Sequence, residues 1–145
     1  MAGILILIVE DDPLMARMYE KAFKLNGYEV QMAFDGEDGL NKLRAADPKP
    51  TIVLLDIMMP KVSGFEVLKT VKQDAVLKGI PIIALTNLAG KEDAEKALEL
   101  GAVAYLVKSQ YDPKQVVDKV KEIVSGYVRK ENIPEVKTQI KDVNK

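Results

Sequence analysis

The sequence predicts a single α/β domain, a parallel sheet wound on both faces by helices. Three observations carry that prediction. All-apolar or nearly apolar runs recur at Ile4–Val9, Ile52–Leu55, Ile80–Leu85 and Val103–Val107, as strands buried on both faces do. The segments between them place apolar residues at helical spacing. Two Asp-Pro pairs, Asp12-Pro13 and Asp112-Pro113, stand where an N-cap aspartate and a proline in the first turn start a helix. Strands alternating with helices of about ten to fifteen residues mean βαβ units and a parallel sheet. Right-handed crossovers then cover both faces.

The elements follow in order. Ile4–Val9 is the first strand and runs into Glu10, Asp11 and Asp12. The helix after Pro13 offers Leu14, Met18, Ala22 and Leu25 as its inward stripe, and Asn26-Gly27 stops it. Tyr28–Phe34 is a short second strand. Asp35-Gly36 turns the chain into a helix over Glu37–Ala46, with Leu40 and Leu43 inward, and Asp47-Pro48-Lys49-Pro50 breaks it. The third strand, Ile52–Leu55, ends in Asp56 and a loop through Met58, Met59, Pro60 and Gly64. A helix over Phe65–Gln73 turns Phe65, Leu68 and Val71 inward. The fourth strand, Ile80–Leu85, ends in Thr86; its proline is tolerable at a strand's first positions. Lys91–Leu100 is a helix closed by Gly101. Val103–Val107 is the fifth strand and ends in Lys108. The last helix runs from Pro113 to about Lys130, with Val116, Val117, Val120, Ile123 and Val124 as its stripe. Residues 1–130 thus form the domain. Residues 131–145 fall outside the pattern. Pro134 interrupts the last helix, and Val136, Ile140 and Val143 leave a weakly ordered tail and a short amphipathic helix both open.

Composition narrows the chemistry. With 145 residues, 48% of them hydrophobic, the chain can fill one core. A net charge of −1 gives no bulk attraction to nucleic acid or to an anionic membrane. Without cysteine there are no disulfides, thiolate nucleophiles or cysteine-type zinc sites. Without histidine the commonest general base and transition-metal ligand are missing, so a bound metal would be held by oxygen, as Mg²⁺ or Ca²⁺ is. The apolar start lacks a basic region and a cleavage pattern and is too short to span a bilayer, so a cytoplasmic protein is expected.

The polar residues at the strand ends are the candidate site. In a parallel sheet Glu10, Asp11, Asp12, Asp56, Thr86 and Lys108 all lie along one edge. A strand order of 2-1-3-4-5, the flavodoxin-like arrangement, puts the direction reversal between strands one and three, where a crevice forms. Asp11, Asp12 and Asp56 then converge. Clustered carboxylates require protonation or a cation, and such a set suits Mg²⁺, which also accepts phosphate oxygens. Asp12 read alone is a helix cap, and it can serve as cap and metal ligand together. Lys108 adds a positive charge and Thr86 a hydroxyl. These are the parts of a phosphoryl-transfer site, and a carboxylate can itself take the phosphoryl group, for which Asp56 is best placed.

Four motifs then bring a family into view: Val9-Glu10-Asp11-Asp12, Leu55-Asp56-Ile57-Met58-Met59-Pro60 with Gly64, Ala84-Leu85-Thr86, and Tyr105-Leu106-Val107-Lys108. In this order and spacing the chain resembles the receiver domain of two-component response regulators, from about Ile4 to Lys130. With no output domain following, it resembles the single-domain, chemotaxis-type regulators. The resemblance implies that Asp56 accepts a phosphoryl group from a histidine of a sensor kinase or phosphotransfer protein. It implies that Asp11, Asp12 and Asp56, with the backbone carbonyl of Met58, hold Mg²⁺, and that Lys108 pairs with the phosphoryl oxygens. Thr86 moves toward the phosphoryl group and Tyr105 turns inward as it does. The face made by the fourth helix, fifth strand and fifth helix changes and contacts a downstream protein. The resemblance leaves room for a phosphorylation-dependent homodimer.

Three departures bear on function. Ser109 stands where the family usually has proline, so the Lys108–Ser109 peptide need not be cis. Asn87 replaces a small residue after the switch threonine. Met58 and Leu88 are both apolar where the family tunes loss of the phosphoryl group to water, which predicts a long-lived phospho-form. Two other functions are weighed beside this one. A Mg²⁺-dependent aspartyl phosphatase usually carries a second Asp two residues after its nucleophile, where this chain has Met58. A pseudo-receiver that works without phosphorylation would not need the full set of acids, threonine and lysine.

Overall fold

The computed structural model describes residues 3–129. Five parallel strands, β1 (Leu5–Val9), β2 (Glu29–Ala33), β3 (Ile52–Leu55), β4 (Ile82–Thr86) and β5 (Ala104–Val107), form one sheet in the order β2-β1-β3-β4-β5. Five helices alternate with them: α1 (Pro13–Leu25), α2 (Gly36–Ala45), α3 (Gly64–Gln73), α4 (Lys91–Glu99) and α5 (Pro113–Arg129). The expected order and class hold, with element ends shifted by one or two residues, as fraying ends usually are. The segment 131–145 lies outside the described residues.

The pleat divides the core in two. Leu7, Val9, Val53, Leu55, Ile82, Ala84 and Tyr105 point to one side and pack with α2, α3 and α4. Ile6, Ile8, Ile52, Leu54, Ile83, Leu85 and Leu106 point to the other and pack with α1 and α5. Successive residues alternate faces because the side-chain period of a strand is two.

Local signals start the helices. The Asp12 carboxylate accepts from the backbone N–H groups of Leu14 (3.0 Å) and Met15 (3.4 Å), ahead of Pro13 at the first helical position. Asp35 caps α2 through the Asp38 N–H at 2.7 Å. Ser63 and Glu66 form a reciprocal capping box on α3.

Two expected stripes are corrected. On α1 the buried residues are Ala16, Tyr19 and Phe23, while Leu14 and Leu25 are 70% and 76% exposed and Met18 also faces outward. The helix carries two stripes at helical spacing, and the one with two aromatic rings buries more apolar area. Phe23 then stacks edge-on against Tyr28, ring centres 5.1 Å apart. On α3 the buried residues are Val67, Leu68 and Val71. Phe65 is only half-buried, and the Lys96 ammonium sits 4.2 Å above its ring.

Candidate functional site

The site follows from the pleat. Ile6 and Ile8 face α1 and α5, and Glu10 continues that alternation; so does Asp56 after Ile52 and Leu54, and Lys108 after Ala104 and Leu106. Parallel pairing of β1 with β3 puts Val9 beside Leu55, and the Asp56 N–H donates to the Val9 carbonyl at 2.9 Å. Glu10, Asp56 and Lys108 therefore meet at one sheet edge. The Lys108 Nζ lies 2.6 Å from Glu10 Oε1 and 3.2 Å from Asp56 Oδ2. The three side chains are nearly dry: exposure is 3% for Glu10, 5% for Asp56 and 10% for Lys108.

Each remaining oxygen has a backbone donor. Asp56 Oδ1 accepts from the Met58 N–H at 3.1 Å, and Glu10 Oε2 from the Asp12 N–H at 3.0 Å. Burial pushes the Asp56 carboxyl up to about 7; Lys108 pulls it down and Glu10 pushes it further up. Burial acts to lower the Lys108 ammonium, but its hydrogen bond to Glu10 and the charge of Asp56 outweigh this and hold it above its usual range.

Gly64 makes the geometry feasible. Its N–H donates to the Ile57 carbonyl at 2.9 Å, bringing the start of α3 against the end of β3. A Cβ there would fall on the Asp56 carbonyl oxygen and 2.5 Å from the Ile57 Cα. The loop before it holds Lys61 at φ +68°, a left-handed conformation uncommon outside glycine.

The carboxylate cluster differs by one residue from the expected one. Oxygens of Glu10, Asp11 and Asp56 lie within 4.8 Å of one another, the grouping a metal ion needs. Asp12 lies outside it, because its side chain is exposed and engaged in capping α1. The missed residue, Glu10, carried a signal in the pleat: it shares parity with Ile6 and Ile8, whereas Asp12 is the first residue of a helix start. The donor set fits a hard divalent cation, since every side-chain donor is a carboxylate oxygen and two of the three residues are buried.

Thr86 is wholly buried at the end of β4, and its Oγ1 accepts from the Leu88 N–H at 3.3 Å. Tyr105 lies fully inside, its hydroxyl donating to the Leu88 carbonyl at 2.9 Å. The inward position was expected to follow movement of Thr86; here the ring is inward with Thr86 bonded to the loop. Small residues share its core cluster, Ala84 beside it in the sheet and Ala94 and Ala97 on α4, which leaves space for a ring. Asn87 is exposed. Among the described residues the one cis peptide is Asp47–Pro48, so Lys108–Ser109 is trans, and Lys108 opens a 3₁₀ turn over Lys108–Gln110. Met58 is 55% exposed. It lines a shallow cleft of about 410 Å³ with Ile57, Pro60, Phe65 and Leu88.

A buried aspartate at the switch point of a five-stranded doubly wound sheet, bracketed by acids and one lysine, defines a phosphoryl-signalling class of domain. Residues 6–121 match the family model of the response regulator receiver domain, and the chain belongs to that family. It is 37% identical over 103 residues to the polar-differentiation response regulator DivK of Brucella anthropi, covering 71% of this chain and 82% of that one. The chemotaxis protein CheY4 of Vibrio cholerae superposes with a TM-score of 0.76 at 29% identity, over 83% of this chain and 98% of that one. The Mn(2+)-bound form of the response regulator Rcp1 gives 0.69 at 30% identity, over 86% and 91%. The chain spans about half the length of the transcriptional regulators it also matches, 44% to 52% of theirs. Receiver domains are signalling modules rather than enzymes of metabolism. No helix among the described residues is long and apolar enough to cross a membrane.

Proposed function

We propose that Asp56 accepts a phosphoryl group from a histidine of a sensor kinase or phosphotransfer protein, and that the modified domain switches a protein contact. The observation that carries this is Asp56 itself: a carboxylate 5% exposed, 3.2 Å from the Lys108 ammonium and grouped with Glu10 and Asp11. In the transfer, an Asp56 carboxylate oxygen attacks phosphorus, an O–P bond forms, and the N–P bond of the donor imidazole breaks with its electron pair returning to nitrogen.

Glu10, Asp11 and Asp56, with the Met58 backbone carbonyl, are the residues that would hold Mg²⁺; Asp12 is left to its cap. The bound cation supplies positive charge that keeps Asp56 ionised and shields the incoming phosphoryl oxygens. The Met58 N–H fixes one Asp56 oxygen, and Lys108 neutralises charge gained by the group. Thr86 gives up the Leu88 N–H to donate to a phosphoryl oxygen. Leu88 is bonded to both Thr86 and Tyr105, so that exchange moves the loop before α4 and alters the face of α4, β5 and α5. A downstream protein, or a second copy of the chain, reads that face. A cytoplasmic location follows from this reading, since the donors are cytoplasmic.

The test is incubation with Mg²⁺ and acetyl phosphate followed by intact mass. Wild type gains one phosphoryl group and Asp56→Asn gains none. No gain in wild type would overturn the reading in favour of a partner-binding domain that works without phosphorylation.

A further inference from the structure

Among the described residues, the Tyr19 hydroxyl is the single buried side-chain polar atom without a hydrogen-bond partner. Tyr19 projects from α1 into the core on the same side of the sheet as Glu10 and Asp56, and it is 1% exposed. A buried hydroxyl that bonds nothing loses its hydration with no return, and phenylalanine would fill the same space without that loss. Tyr19 lines a narrow crevice with no room for a water molecule. Its other walls are Ile8, Val9, Glu10, Leu54, Asp56 and Leu85. The two polar side chains in that wall are carboxylates of the candidate site. Burial, then Glu10, then Asp56 hold the phenol far above its ordinary range, so it stays protonated and can only donate to them.

Glu10 is the one with a future need. Its Oε2 is held by the Asp12 N–H, but its Oε1 depends on Lys108, which is shared with Asp56. A phosphoryl group on Asp56 brings further anionic oxygens, and Lys108 has one ammonium to divide among them. We propose that Tyr19 is a positioning residue of this site, whose hydroxyl donates to Glu10 when Lys108 turns to the phosphoryl group. This rests on the reading of Asp56 as phosphoacceptor. In the loaded state Glu10 would also help hold the cation, and Tyr19 stabilises that state by donating to the Glu10 carboxylate alongside it, so Glu10 does not compete for Lys108. In the unloaded state the hydroxyl is a liability.

The test uses Tyr19→Phe in the full chain, with Mg²⁺ and beryllofluoride as a phosphoryl mimic. Without metal or mimic the variant is expected to melt at, or about 2–4 °C above, the wild-type temperature. The beryllofluoride concentration at half-saturation is expected to rise about threefold to tenfold. Wild type should also show a near-ultraviolet tyrosine difference band on loading that exceeds the band of Tyr19→Phe, which keeps only the contribution of the other tyrosines such as Tyr105. Opposite effects on the two states are not what a packing residue gives. A variant that melts lower when unloaded, or that binds the mimic as wild type does, would overturn the assignment. If wild type itself binds no mimic and takes no phosphoryl group from acetyl phosphate, the phosphoacceptor reading falls and this one with it.

Discussion

Replacing Asp56 by asparagine should make the metal-free protein more stable, and the gain should depend on pH. The carboxyl titrates at about 7 in the folded protein, against an ordinary 3.8. The folded state thus holds this proton where the unfolded chain has released it. Stability from this group is complete below about 3.8 and is lost as pH rises through about 7. The interval of about 3.2 pH units corresponds to a ceiling of about 4 kcal/mol at 1.36 kcal/mol per unit. Asparagine gives up the charge pairing with Lys108, although Lys108 keeps Glu10 at 2.6 Å. A net gain of about 2–3 kcal/mol near pH 8 follows, about 5–10 °C in melting temperature for a domain of this size. The assay is a set of thermal melts in EDTA at about pH 4.5, 6 and 8 for both proteins. The curves should nearly coincide at the acid end and separate upward. Saturating Mg²⁺ should close the gap, because the cation binds the acidic wild-type cluster better and only to the folded chain. An asparagine variant that melts at or below wild type near pH 8 without metal would refute the argument, as would a difference indifferent to pH.

Two further outcomes rest on the loops that follow β3 and β4. Gly64→Ala forces a methyl onto the Asp56 carbonyl, where backbone rather than a flexible side chain stands in the way. A loss of about 2–4 kcal/mol in urea unfolding is expected, with slowed phosphorylation by acetyl phosphate because the same peptide carries the acceptor. Met58→Asn and Leu88→Glu, each placing a polar group in the mainly apolar cleft that Met58 and Leu88 line together, should shorten the lifetime of the phospho-form, read as decay of the phosphorylated mass. An unchanged lifetime in both variants would remove the apolar cleft as the cause of its persistence.

The sheet was legible because two independent signals agree at each turn. Apolar runs mark strands buried on both faces, and Asp12-Pro13 and Asp112-Pro113 mark the starts of the first and last helices. The placement of Asp56, Thr86 and Lys108 was legible from position alone, since each stands at the end of a strand on one edge. The acids beside Asp56 were less so. Asp11 and Asp12 are equally plausible by adjacency, and only the pleat separates Glu10, which continues a strand face, from Asp12, which is spent on a helix. The α1 stripe failed because aliphatic spacing was counted without weighing ring area. Tyr105 and Tyr19 were opaque for a shared reason. A tyrosine on an inward face reads as packing, and whether its hydroxyl has a partner is a matter of tertiary distance that spacing does not encode.

The division of the core by the sheet has a consequence for how this protein can change over generations. Glu10, Asp56 and Lys108 extend the side backed by α1 and α5, whereas Tyr105 extends the side backed by α2, α3 and α4. Substitutions accumulating behind one side are separated from the other by the sheet's backbone, with Thr86 buried at the end of β4. Drift among the side chains behind Tyr105 would retune the proposed output face without disturbing the acidic cluster. Drift behind Glu10 would retune how readily a phosphoryl group is taken up and held, and where it falls on α5 it would reach the proposed output face as well. The sheet acts as a bulkhead between two inheritances, and the hydroxyl of Thr86 is a door in it.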